Sequence, residues 1–249
     1  MAVQAKIISI VNQKGGVGKT TTAHAIGAGL AILKKAKVLF IDLDPQCNLT
    51  HTMACEGESG SKSVLLFDGS SKPFPLHCGK WDLIPSDPML YTITAKPTAL
   101  KEAIQGYKGQ YDYIIIDTPP TLGSVTINAL TASDYIIIPA LADYYSLQGL
   151  ISLKDTIEVI QATSNPALEI AGILLNRHNT RTILKRDLSE VINKAAGALN
   201  TKVFKQSIRD GIAIAEAQVK QADIFTYAPK SKPAADYSGF IKELVKRIQ

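Results

Sequence analysis

Short apolar runs recur along the chain, and few of them alternate with polar residues. Residues 6–11, 37–41, 81–84, 111–116, 135–139 and 170–175 are rich in Ile, Val or Leu and read as strands. A run without period-two alternation is what a strand covered on both faces looks like. Between the runs lie helical patterns over 22–33, 95–105, 146–162 and 185–199. Alternation of this kind predicts an α/β fold, a doubly wound and mostly parallel sheet with helices on both faces. Residues 54–79 are the least regular region and read as a loop-rich excursion, with a short helix over 63–67. Neither an internal repeat nor a break in composition interrupts the pattern, so one domain over residues 1–249 is expected. In such sheets ligands bind where the strands end.

The first strand runs into Lys14, Gly15, Gly16, Val17, Gly18, Lys19, Thr20 and Thr21, and a helix follows. A glycine-rich turn between strand and helix is a phosphate site. Its backbone N–H groups close around the oxygens, and the helix N-terminus adds partial positive charge. Lys19 is placed to reach the terminal phosphates and Thr20 to put its hydroxyl on Mg²⁺. The general P-loop pattern asks for glycine five residues before Gly18, where this chain has Gln13, with a second lysine, Lys14, after it. The second strand leads into Asp42, Leu43, Asp44, Pro45 and Gln46, and the run 111–116 into Asp117, Thr118, Pro119 and Pro120. A carboxylate at the end of a strand beside a P-loop is where a Mg²⁺-bound water is held.

Composition changes the picture little. The chain is 46% hydrophobic and 20% charged, ordinary for a folded α/β protein of 249 residues. No apolar run approaches the ~20 residues a spanning helix needs. The start shows no export pattern. Three cysteines, Cys47, Cys55 and Cys78, lack the spacing of a zinc site or a disulfide framework and suit a reducing cytoplasm. A formal charge of +5 permits contact with nucleic acid or anionic lipid without requiring it.

The string K-G-G-x-G-K-T-T resembles the deviant Walker A loop of the ParA/MinD family of ATPases, and the resemblance extends almost to the end of the chain. Residues 42–50 match the family's first switch, D-x-D-P-Q-G-N-L-T, with Cys47 where glycine is common; Asp117-Thr-Pro-Pro is similar to the second. A glycine with positive φ would leave Cys47 in a costly conformation. The resemblance implies ATP and Mg²⁺ as cofactors, Asp42 at the metal shell through water, Asp44 orienting the attacking water, and Asn176 on the adenine ring. It also implies an ATP-bound homodimer in which Lys14 reaches the partner's nucleotide, the work an arginine finger does elsewhere.

Within that family the reading closest to this chain is a partition ATPase, cytoplasmic and nucleoid-associated. It binds nonspecific DNA and is stimulated by a ParB-like centromere-binding protein. Candidate phosphate contacts are Arg181, Arg209, Lys230 and Lys246. Residues 208–218 resemble a ParA C-terminal motif, but the positions of its two arginines hold Asp210 and Ala213. With only a few residues before the first strand, site-specific operator binding through a helix-turn-helix module is not expected of this chain. The apolar stripe of Phe240, Ile241, Leu244, Val245 and Ile248 reads as a helix docked on the core rather than as a membrane anchor. The alternatives are a MinD-like membrane-cycling ATPase and a ParA-like ATPase that positions a protein cargo. An iron–sulfur relative would need paired cysteines at a dimer axis.

Overall fold

The computed structural model describes residues 4–53, 55, 61–69, 73–178 and 183–249, with side chains described except at 145, 147 and 183–189. Among the described residues seven strands form one sheet: β1 (Lys6–Ile10), β2 (Val38–Asp42), β3 (Leu76–His77), β4 (Asp82–Ile84), β5 (Tyr113–Asp117), β6 (Tyr135–Ala140) and β7 (Glu169–Leu175). Their order is β3-β4-β2-β5-β1-β6-β7, and every pairing is parallel except β3 with β4. The strand order turns back on either side of β1. The helices are α1 (Lys19–Lys34), α2 (Asn48–Thr52), α3 (Ala99–Ala103), α4 (Ser124–Ala132), α5 (Tyr144–Ala162), α6 (Ile183–Ala198), α7 (Ile212–Val219), α8 (Ile224–Tyr227) and α9 (Lys232–Arg247).

The expected strands are all present, with shifts of one or two residues at their ends. The stretch 95–105 is split, α3 passing into a 3-10 turn at Ile104–Tyr107. Residues Ser63–Leu66 form the expected short helix, also of 3-10 type. Two features of the 54–79 excursion differ from the sequence reading. It contributes β3, and Cys55 and Cys78 are joined by a disulfide. The cysteines lie 23 apart in sequence, with Cα atoms 4.6 Å apart. The β3–β4 pairing returns the chain to the end of α2, a closure that spacing alone does not reveal.

Alternation along each strand divides the core. Ile8, Ile10, Phe40 and Ile115 face α1, α8 and α9, while Ile7, Leu39, Ile41, Ile114 and Ile116 face α3 and α4. Ile136, Ile138, Ile173 and Leu175 pack with α5 and α6. The apolar stripe of α9 is buried at Phe240, Ile241 and Leu244, as expected for a helix docked on the core.

The helix α1 lies close on the sheet. A Cβ added at Gly27 would stand 2.1 Å from Phe40 Cζ. Gly→Ala in a helix gains about 1 kcal/mol of propensity, but overpacking a filled core costs about 1–3 kcal/mol. The Phe40 ring is wholly buried and has nowhere to go. Gly27→Ala is therefore expected to destabilise the nucleotide-free protein by about 2 kcal/mol in urea unfolding; a stabilised variant would show that the ring can yield.

The outer edge of β7 is covered. Thr201 Oγ1 donates to Ile170 O at 2.8 Å and Arg247 Nη1 to Ala171 O at 2.9 Å. The amides of Phe204 and Ile208 donate to Ile173 O and Leu175 O, both at 2.9 Å. The opposite edge is β3, two residues long.

Candidate nucleotide site

The carboxyl ends of β1, β2 and β5 lie side by side: Ile10 is level with Asp117, and Asp117 with Asp42. From these ends the chain turns into the P-loop and the two Asp-containing loops. Gly18 is the N-cap of α1 at φ 90°, and a Cβ there would meet Asn176 Nδ2 at 2.8 Å, so both backbone and space require glycine. Beyond it opens a cleft of about 440 Å³ lined by Gly15, Gly16, Lys19, Thr20, Asp44 and Gln218 among others. A smaller pocket of about 120 Å³, with Val17, Asn176, Ile208 and Tyr237 in its wall, adjoins it at Gly18 and Thr21.

Burial dominates the electrostatics. Asp117 is fully buried and its carboxyl is pushed well above the usual range, first by desolvation and then by the neighbouring Asp42 charge. Neither of its oxygens has a hydrogen-bond partner; Thr20 lies alongside, off hydrogen-bonding geometry, and with Lys19 pulls the other way. Asp42 is raised to about 6 by burial, although hydrogen bonds from Thr50 and the Asp44 amide oppose it. The Lys19 ammonium is pushed down by burial and held up by Asp117 and Asp44. Two buried carboxyls, one without partners, beside a lysine and a threonine hydroxyl form a hard-oxygen set of the kind Mg²⁺ takes. The donor chemistry fits the metal that the motifs imply.

The carboxylate of Asp42 acts mainly as a clasp. Its Oδ2 accepts from Thr50 N at 2.8 Å and Thr50 Oγ1 at 2.7 Å, and its Oδ1 from Asp44 N at 3.1 Å. Thr50 Oγ1 in turn accepts from Ser86 N at 2.9 Å, so the loop is fastened to the chain beyond β4. Cys47 sits in this loop at φ 57°, the left-handed conformation that glycine would adopt more cheaply. Asp44 lines the cleft with its Oδ1 accepting from Gln46 N at 3.0 Å.

Lys14 is directed elsewhere. Its Nζ lies 2.5 Å from Asp143 Oδ2, and Asp143 also caps α5 by accepting from Ser146 N at 2.8 Å. Burial raises the Asp143 carboxyl, but the Lys14 and Ser146 hydrogen bonds outweigh it and the net shift is downward. Asn176 buttresses the P-loop. Its Nδ2 donates to Val17 O at 2.8 Å and to Thr22 Oγ1 at 3.1 Å. Both hydrogens of the Asn176 amide nitrogen are thereby committed, and only the buried Oδ1 is without a partner.

The basic candidates separate. Arg181 lies outside the described residues. Arg209 is exposed, and its Nε and Nη2 clamp Asp236 at 2.6 and 2.8 Å. Lys230 and Lys246 are exposed, near opposite ends of α9 and so about 20 Å apart. Around the α9 C-terminus, Lys246 is joined by exposed Lys202, Lys205 and Lys242, because Glu243 and Arg247 hold the 202–205 backbone there. Asp143, Thr50 and Gln218 escaped the sequence reading. Thr50 closes the matched stretch 42–50 and Gln218 the stretch 208–218, though neither was singled out there; Asp143 lies in no such motif.

A family model described as an AAA domain matches residues 5–170. The sporulation initiation inhibitor protein Soj of Bacillus subtilis is 38% identical over 251 residues, covering 96% of this chain and 98% of Soj. Among solved structures, Cyanothece McdA in an ATP complex superposes with a TM-score of 0.86 at 25% identity, covering 98% of this chain and 97% of McdA. Cobyrinic acid a,c-diamide synthase from Mycobacterium smegmatis, with bound ATP analog and magnesium, gives a TM-score of 0.83 at 28% identity, covering 98% and 96%.

Proposed function

The chain belongs to the ParA/MinD family of deviant Walker A ATPases, and from that premise we propose a ParA-type partition ATPase that takes ATP and Mg²⁺. Its ATP-bound form pairs with a second copy, binds DNA without sequence preference, and is turned over by a ParB-like centromere-binding partner. The observation that carries the reading is one cleft bringing Lys19, Thr20 and Asp44 together at the strand ends, with Asp117 buried behind them.

Each residue then has a stated task. The P-loop amides and the Lys19 ammonium bind the phosphate chain. Thr20 and Asp117 would hold Mg²⁺, which would supply positive charge against the phosphate oxygens. Asp42 keeps the first switch folded through Thr50. Asp44 orients the attacking water, and positioning matters more here than base strength, because the transition state is loose. The carbonyl of Asn176 remains as the acceptor for a base amino group. Lys14, held on Asp143 within its own subunit, would reach the partner's phosphates after closure, so intrinsic turnover is slow.

The exposed lysines around the α9 C-terminus support a nonspecific phosphate contact, which needs shared positive charge and no base reading. No helix among the described residues is long and apolar enough to cross a membrane. A cytoplasmic, nucleoid-bound protein is the location this reading requires.

The test is binding to nonspecific duplex DNA with ATP, ADP or no nucleotide across a salt series. Binding should appear with ATP alone, with a log–log salt slope of about −0.9 per phosphate contact. Asp44→Ala should remain on DNA after ATP is added, since it closes without hydrolysing. Absence of DNA binding in every nucleotide state would remove the partition reading.

A further inference from the structure

The end of α7 folds back over the nucleotide cleft. Gln218 Nε2 donates to Thr21 Oγ1 at 2.9 Å, and both residues line the main cleft and the smaller pocket where the two meet. Three residues on, Gln221 Nε2 donates to His51 O at 2.8 Å, so the same end of α7 is tied to the α2 wall as well. Thr21 lies two residues after Lys19, in the first turn of α1.

A threonine hydroxyl has one proton and two lone pairs. The Gln218 amide takes a lone pair, so the proton must point away from Gln218. A helical threonine would commonly give it to the carbonyl four residues back. Thr21 Oγ1 makes no such bond to that carbonyl, Val17 O, which accepts from Asn176 Nδ2 at 2.8 Å instead. The proton is left facing the cleft, where the acceptor of matching chemistry is an anionic oxygen.

We propose that Gln218 is a positioning residue for the nucleotide: by holding Thr21 Oγ1 it fixes that hydroxyl as a donor to the phosphate chain. The inference rests on the reading of the cleft as a nucleotide site. It also gives α7 a part in nucleotide affinity, although α7 belongs to neither the P-loop nor either Asp-containing loop.

A double-mutant cycle tests it, using fluorescently labelled ADP and ATP with wild type, Gln218→Met, Thr21→Val and the double variant. Gln218→Met is expected to weaken both nucleotides about fivefold, the scale of one hydrogen bond. In the Thr21→Val background the same change should alter affinity by less than about twofold. In turnover the effect should fall on KM for ATP, with kcat within about twofold. Gln218 is only half-buried, so nucleotide-free melting should be unchanged and will confirm a folded variant. Equal losses in both backgrounds, or no loss in either, would overturn the role of Gln218 while leaving the cleft a nucleotide site. A wild type that binds neither nucleotide would overturn the cleft reading first, and this inference with it.

Discussion

Lys14→Ala is expected to lower steady-state ATP turnover at least about a hundredfold while changing ATP affinity less than about threefold. The asymmetry follows from where the ammonium stands. It is paired with Asp143 and takes no part in lining its own cleft. Binding in the free subunit therefore has little to lose. Hydrolysis has much to lose if the lysine supplies positive charge across a closed dimer, in a water-poor site where such charge is worth several kcal/mol. Phosphate release with saturating DNA and partner, set beside an equilibrium titration with labelled ATP, checks both halves. Unchanged turnover would remove the lysine from the chemistry. A large loss of affinity would place it in its own cleft instead.

The second large effect has opposite signs in stability and activity. Asp117→Asn should stabilise the nucleotide-free protein by about 1–3 kcal/mol, because it removes a buried ionisable group whose oxygens have no partner. Turnover with Mg²⁺ should fall at least about a hundredfold, since the amide is a poor metal ligand. The pH dependence follows from linkage. Folding raises the Asp117 carboxyl well above 3.8, and Asp42 to about 6. In that window the folded protein holds protons that the unfolded chain has released. The contribution of these two groups is therefore most favourable below the unfolded value and is lost as pH rises through the folded ones. Melting of nucleotide-free wild type should fall relative to Asp117→Asn as pH rises above about 4. Saturating Mg²⁺ and ATP should restore it at neutral pH by mass action. An Asn variant that melts below wild type across this range would refute the account of the site as electrostatically strained.

Residues whose tasks are local were legible in the sequence. Lys19 and Thr20 follow the glycines of their own loop, and Asp117 ends its own apolar run. The strands were legible because burial on both faces forces continuous Ile, Val and Leu. What escaped depends on long-range closure. Asp143 meets Lys14 across 129 residues, and its Asp-Tyr-Tyr-Ser context signals only a helix cap. Arg209 looks like an open cation until α9 brings Asp236 against it. Asn176 carries the same amide whether it reads a base or braces the P-loop, and only packing of the end of β7 on α1 decides where the donor goes. The strand β3 and the Cys55–Cys78 bond were missed for a related reason. A two-residue antiparallel edge has too little length for any period to register.

The closed margins of the sheet bear on how copies of this chain can meet. A bare strand edge is a template on which identical chains can stack without limit. Here one margin is two residues long, and the other has its carbonyls at Ile170, Ala171, Ile173 and Leu175 occupied from within the same subunit. The proposed binding to DNA would crowd copies of this chain together, and crowding favours whatever contact is open. With both margins poorly suited to strand addition, the proposed pairing of ATP-bound copies would fall to the surface around the strand ends. Crowding would then find no open strand edge on which a fibre could grow.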